Sequence, residues 1–298
     1  MDKARLSALL HDLSGRRVHV IGDSIRDIYT QTRCLGTASK SPTLVLERTG
    51  VAESWAGGAS IVAAHCRAAG ADVSSTTGWV TRKERFLVEG IKAFEIHEYR
   101  EHGVQITDWV LAKWYQDVPK SLDIIICADF QHGVFTPRTL PNILAALPHD
   151  ALKAADSQTT DISWGNILDF AGFDLLFANE REARFALRDQ DSPATSLGEE
   201  LLDSAKIAVV VKRGAHGLWV HQHGAKVMGI SPYADQPIVD PIGAGDALLA
   251  YMTLAYHASK DLEAAAIIGS LAAAEACAHQ GNVVVRPEAI LRRLERLP

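Results

Sequence analysis

From residue 123 onward, apolar runs of strand length alternate with segments of helical periodicity. Ile124-Ile125-Ile126-Cys127-Ala128 is followed by Asp129, and residues 137–147 read as a helix. Residues 151–155 form a second run, apolar apart from Lys153, ending at Asp156. Residues 173–178 form a third, ending at Asn179 with a helix over 180–187 behind it, and residues 207–211 a fourth, ending at Lys212. Runs that stay apolar at all, or all but one, of their positions suit strands covered on both faces, and repeated strand–helix units imply a parallel sheet between layers of helices. Polar residues that follow each strand then line one edge of that sheet, where open α/β sheets bind ligands.

The first hundred residues are patterned differently. Leu6, Leu9, Leu10 and Leu13 have helical spacing closed by Gly15, and Val18-His19-Val20-Ile21 is a short buried strand followed by Gly22-Asp23-Ser24-Ile25-Arg26-Asp27. Alternation around residues 29–32 and 43–47, and again over 84–98, predicts a small sheet outside the main one, with lid strands at about 28–55 and 81–99 inserted in a single domain spanning 1–298. Ala56-Gly57-Gly58-Ala59-Ser60 is expected to open a helix reaching Ala69, and residues 73–77 to form a core strand. Trp109, Leu111 and Trp114 suggest another helix, and residues 262–279 an alanine-rich helix suited to close packing.

Composition narrows the class of protein without choosing a reaction. Hydrophobic residues make up 47% and charged residues 22% of the 298, as in soluble globular chains. The net charge of −6, from 30 basic and 36 acidic residues with no basic block, speaks against nucleic acid as a partner. Cys34, Cys66, Cys127 and Cys277 are widely spaced, so neither a zinc motif nor a disulfide framework is expected. The start of the chain has no apolar signal core and no run reaches membrane-spanning length, so no membrane partner and a cytoplasmic location are expected.

The chemistry concentrates in Asp240-Pro241-Ile242-Gly243-Ala244-Gly245-Asp246. A β-like approach over residues 236–239, a small-residue turn and then an uninterrupted helix place free backbone N–H groups at a helix N-terminus, an anion site. The Asp246 carboxylate would repel a resting phosphate. It makes sense instead as a base that takes a proton from a hydroxyl while the turn stabilises a transferring phosphoryl group. A tight turn and a helix cap would account for G-A-G-D alone, but Asp27, Asp129, Asp156, Asn179 and Lys212 at neighbouring strand ends argue for a site. A nicotinamide-dependent enzyme would require G-x-G-x-x-G after the first strand, which Gly22-Asp23-Ser24 does not supply.

With these residues assembled, the chain resembles the PfkB (ribokinase-like) family of carbohydrate kinases along nearly its whole length, and within it the heptose-7-phosphate kinase branch. The resemblance implies a ribokinase-like α/β fold, with a doubly wound, mostly parallel sheet, flanking helices and a small β-sheet lid. It implies ATP-dependent phosphorylation of a sugar or sugar-phosphate hydroxyl, with ATP and Mg2+ as cofactors. Asp246 becomes the base and Gly243, Ala244 and Gly245 the anion hole. Asp27, Gly57, Gly58 and Asp129 become substrate-binding residues. Asn179 and Glu182, in Asn179-Glu180-Arg181-Glu182, are implied to hold Mg2+ through water. Lys212, Gly214 and Gly217 are implied on the nucleotide side, with Gly281 and Asn282 as a wall of the adenine pocket and a homodimer possible through the lid sheet. The chain departs from the family at Ser60-Ile61, where an Asn is usual, at His132 and Gln158, where the branch has lysines, and in the short connection over residues 78–82. These departures motivate a competing reading, a weak or inactive homologue that binds nucleotide or sugar in a regulatory or assembly role.

Overall fold

A computed structural model of the protein describes residues 2–99, 104–119, 121–159 and 165–297, with the backbone alone at 104–107. In chain order its elements are α1 (Lys3–His11), β1 (Arg17–Gly22), β2 (Ser24–Thr37), β3 (Leu44–Arg48), β4 (Glu53–Gly58), α2 (Ala59–Ala68), β5 (Asp72–Thr77), β6 (Thr81–Val88), β7 (Ile91–Glu98) and α3 (Val104–Asp117). There follow β8 (Ile124–Asp129), α4 (Leu140–Ala145), β9 (Leu152–Ser157), β10 (Phe173–Asn179), α5 (Glu180–Leu187), α6 (Ala194–Leu202), β11 (Ala205–Lys212), β12 (Leu218–Gln222), β13 (Met228–Ile230), α7 (Ala244–Ser259), α8 (Leu262–Cys277) and α9 (Pro287–Arg296).

Among the described residues the strands form two sheets. The larger runs β13-β12-β11-β10-β9-β8-β1-β5; the smaller runs β3-β2-β6-β7, with β4 also paired to β2. Neighbours from β5 through β11 are parallel, whereas β12 and β13 extend the edge antiparallel. β8 and β9 are buried at every position, which is why their sequences do not alternate. One face of the large sheet packs on α1, α2, α7, α8 and α9, through residues such as Leu10, Val62, Leu249, Ile268 and Ile290. The other packs on α3 to α6, through Trp114, Ile143, Ala183 and Leu201. α7 and α8 approach closely: a Cβ on Gly269 would meet Leu248 and Met252 at 2.8 Å.

The expected α/β sheet with a separate small sheet is what the chain forms, but several elements differ. Gly57 and Gly58 end strand β4, and Gly58 is also the N-cap of the expected helix, which begins at Ala59. Both pair with β2 opposite Ile25 and Ser24, and a Cβ on Gly58 would lie 2.2 Å from the Asp23 carbonyl oxygen. Residues 236–239 are not a strand; Pro237 lacks a donor, and Ile238 and Val239 are exposed. The helix expected over 137–147 is confined to α4. Residues 73–77 lie within β5, an edge strand with Thr76 as its one buried position. β12 and β13 carry no signal that was read from the sequence.

Candidate active site

The turn before α7 is held by its first residue. The Asp240 carboxylate accepts from Lys92 Nζ at 2.7 Å and the Ile242 N–H at 3.1 Å through Oδ1, and from Tyr29 Oη at 2.5 Å and the Gly281 N–H at 3.1 Å through Oδ2. Burial alone would raise its pKa, but these donors hold it below the ordinary carboxylate value. Gly243 then turns the chain with φ +84°, a left-handed conformation that glycine adopts without strain. α7 begins at Ala244, so Gly245 and Asp246 lie in its first turn, where N–H groups lack intrahelical acceptors.

The turn opens into a cavity of about 490 Å3. The small sheet contributes Asp27, Lys83 and Arg85 to its walls. Strand ends and the turn contribute Asn179, Glu182, Lys212 and Gly243 to Asp246. The β11–β12 connection and α8 contribute Gly214, Ala215, Gly217, Ala273, Ala274 and Cys277. Gly217 allows that connection to fold back tightly, since a Cβ there would lie 2.0 Å from the Ile230 carbonyl oxygen.

Charge is unevenly distributed around the cavity. Burial pushes the Asp246 carboxyl well above its ordinary value, Asp156 and Asp27 add to the shift, and Lys212 and Lys83 oppose it. Burial lowers the affinity of Lys212 for its proton, but Asp156, Glu182 and Asp246 more than reverse this, so it stays an ammonium. Lys212 Nζ pairs with Asp156 Oδ2 and lies 3.6 Å from Glu182 Oε2. It is also beside the turn, since a Cβ on Gly245 would lie 3.8 Å from it. Glu182 is itself raised by burial.

Of the residues that the sequence singled out, Asp27, Gly58, Asn179, Glu182, Lys212, Gly214, Gly217, Gly243, Ala244, Gly245, Asp246 and Asn282 line this one cavity. Gly57, Asp129 and Gly281 do not. Gly57 packs behind Asp27, where a Cβ would lie 2.3 Å from Oδ2. Asp129 is buried beneath the site, accepting from Ser157 Oγ at 2.7 Å and the Gln131 N–H at 3.0 Å. Gly281 lies under the Trp55 ring, 2.5 Å from where its Cβ would be.

One placement corrects the sequence reading. Asp27 is not at the end of β1 but four residues into β2, which leaves β1 after Asp23 alone and carries Asp27 into the small sheet. Asn282 lines the cavity, and its Nδ2 donates to Asp27 Oδ2 at 2.6 Å. Asn179 Oδ1 accepts the Glu182 N–H at 2.8 Å and Glu182 Oε2 accepts the Asn179 N–H at 2.6 Å, a capping box at the start of α5. The sequence reading missed Lys83 and Arg85. Arg85 bonds Asp27 through Nη1 and Glu95 through Nε at 2.6 Å. The available signal was their spacing of two on a strand, which places both on one face.

Residues 114–288, more than half of the chain, match the sequence profile of the pfkB family of carbohydrate kinases. The chain belongs to this family. The bifunctional protein HldE of Bradyrhizobium diazoefficiens is 24% identical over 327 residues, covering 96% of this chain and 64% of that protein. The HldE of Gluconobacter oxydans is 24% identical over 325 residues, covering 96% and 66%. The chain therefore spans just under two thirds of the length of these relatives. In fold it is similar to ribokinase from Thermotoga maritima, with TM-score 0.72 at 16% identity over 94% of this chain and 100% of that one. Phosphofructokinase-2 from Escherichia coli in complex with potassium gives 0.68 at 15% identity, over 94% and 100%. The enzyme is thus a PfkB carbohydrate kinase with a ribokinase-like fold.

Proposed function

We propose that this enzyme transfers the terminal phosphoryl group of ATP to a hydroxyl of a sugar or sugar phosphate. The observation that carries the proposal is Asp246 in the first turn of α7, behind a glycine turn and facing the same cavity as Asp27 and Lys212. Asp246 takes the proton of the acceptor hydroxyl, and its raised proton affinity makes it a stronger base than an exposed carboxylate. The N–H groups of the Gly243–Asp246 turn, with the Lys212 ammonium beside them, stabilise charge on the group in transfer. Asp27 and Gly58 orient the acceptor, and the small sheet limits access of water.

The cavity fits the implied cofactors. Small and apolar side chains on its α8 side, Ala273, Ala274 and Cys277, suit a flat base, and the turn suits phosphates. Among the described residues no group of three or more His, Cys, Asp and Glu could hold a metal unaided, so Mg2+ would enter with the nucleotide, held through water by Glu182 and the neighbouring Asn179. ATP supplies the phosphoryl group and Mg2+ screens its charge. The cysteines are free among the described residues, and no described helix is long and apolar enough to cross a membrane, which suits a cytoplasmic enzyme. Exposed Leu35, Leu44, Ile91, Phe94 and Ile96 on the small sheet support pairing with a second copy, testable by sedimentation of the Ile96→Lys variant.

The test is ADP release from ATP with a panel of free and phosphorylated sugars. Acceptor-dependent release that requires Asp246 is the expected result. Nucleotide binding without transfer to any acceptor favours instead a regulatory homologue.

A further inference from the structure

The apolar half of the cavity has two walls. Ala273, Ala274 and Cys277 on α8 form one, and Pro232, Ala234 and Ile238, in the segment between β13 and α7, form the other. Side chains of this kind hold a flat ligand by shape rather than by hydrogen bonds, so affinity depends on how closely the two walls are kept together. The α8 wall is part of a packed helix. The other belongs to no helix or strand, and residues 234–239 within it are exposed.

That segment is tied to α8 at three levels. At its ends, Ser270 Oγ donates to the Ser231 carbonyl at 2.6 Å and the Val239 N–H donates to the Cys277 carbonyl at 2.8 Å. Between these ends the tie is made by a side chain that does not line the cavity. Arg293 on α9 is 2% exposed, and its guanidinium reaches both walls. Nη2 and Nε donate to Glu275 Oε2 on α8 at 2.9 and 3.2 Å, while Nη1 donates to Asp235 Oδ1 and, at 3.4 Å, to the Tyr233 carbonyl. Arg296 Nη1 lies 3.8 Å from Asp235 Oδ2. Asp235 directly follows Ala234 and Glu275 directly follows Ala274, so the guanidinium joins the two walls one residue behind a lining residue on each. It also holds a strained point of the chain: Tyr233 has φ +50°, a left-handed conformation uncommon for a bulky residue.

We propose that Arg293 is a positioning residue for the phosphoryl donor: through Asp235 and Glu275 it sets the gap that receives the nucleotide base, without touching the nucleotide. This rests on the kinase reading above and gives α9 a part in nucleotide affinity. With the tie broken, the segment spends part of its time away from α8, and the apparent affinity falls with the fraction of molecules in which the two walls are closed.

The experiment measures ADP binding by calorimetry in the presence of Mg2+, and the ligand-free thermal midpoint, for wild type, Asp235→Ala and Arg293→Met. Asp235→Ala leaves Arg293 paired with Glu275 and carries the test if Arg293→Met does not fold. The expected result is an ADP Kd raised about tenfold in Asp235→Ala, as for loss of one charge-assisted hydrogen bond, with an unchanged ligand-free midpoint. Unaltered ADP affinity in either folded variant overturns this inference alone. So does a weakened affinity in Asp235→Ala accompanied by a lowered ligand-free midpoint, which marks a general loss of structure. Failure of wild type to bind ADP overturns the kinase reading and this inference with it.

Discussion

The Tyr29 hydroxyl donates to the Asp240 carboxylate at 2.5 Å, across 211 residues of chain. It joins the long strand of the small sheet to the residue that opens the glycine turn before α7, and Lys92 on β7 makes a second such joint. The small sheet and the glycine turn are therefore positioned against each other by one buried carboxylate. Removing a donor from a buried charge costs about 1.5–3 kcal/mol. Tyr29→Phe is expected to lower kcat by about tenfold or more, with a smaller change in the KM for ATP. Lys92→Met should act in the same direction, and the double variant should lose less than the product of the two. Initial-rate kinetics on the three variants check this; strictly multiplicative losses would separate the two joints.

Burial of the Asp246 carboxyl costs stability once the group ionises. Its folded-state pKa is raised, so the native state holds the proton more tightly than the unfolded chain does. The stability associated with this group is present below the unfolded carboxylate value and is lost as pH rises through the folded one. Asp246→Asn removes that cost. Turnover should fall by about 10²–10⁴-fold, as for loss of a general base, while the thermal midpoint at pH 8 rises above that of wild type. The gap in midpoint should narrow as pH falls. A variant that loses activity and stability together at pH 8 contradicts this account.

The strand ends were legible in the sequence for a physical reason. A parallel strand covered on both faces is mostly apolar, so Asp129, Asn179 and Lys212 stand out as the polar residues that close the apolar stretches of β8, β10 and β11. The glycine turn was legible because Gly243 and Gly245 precede an uninterrupted helical run. Contacts between distant segments were not. Asn282 and Asp27 are 255 residues apart, and no local pattern tells a helix-end amide that it will meet a strand carboxylate. Gly57-Gly58 was legible only in part, since the pair ends a strand packed close to β2 as well as standing at the start of α2. Lys92, in a strand exposed at nearly every position, reads as a surface residue until the fold brings Asp240 to it.

Lys212 is the cation between three carboxylates. It pairs with Asp156, approaches Glu182 and counters the upward shift of Asp246. Lys212→Met leaves these buried acids without compensation, which typically costs about 3–5 kcal/mol in stability. Asp246 should then ionise at higher pH, so the acid limb of the pH–kcat/KM profile moves upward and the rate at pH 7 falls. Lys212→Arg keeps the charge and should restore the position of the limb, if not the full rate. A pH–rate profile from 5 to 9 on the three proteins measures this, and an unmoved limb in Lys212→Met would show that the ammonium does not tune the base.

Asp129 provides a stability signal separate from the cavity. Burial, followed by the charge of Asp23, pushes its pKa up to about 7, against the opposing hydrogen bonds from Ser157 and Gln131. The native state therefore keeps a proton that the unfolded chain releases near pH 4. This contribution to stability is full below pH 4 and is lost as pH rises through about 7. The slope across that window approaches 1.4 kcal/mol per pH unit for a single group. Asp123 works in the opposite sense: its hydrogen bond to Arg17 lowers its pKa to about 2, so its contribution is lost only as pH falls through that value. Between pH 4 and 7, urea midpoints of the wild type should fall more steeply with rising pH than those of Asp129→Asn. That variant keeps an acceptor oxygen for Ser157 or Gln131 and cannot ionise, so equal slopes in the two proteins would remove Asp129 as the source.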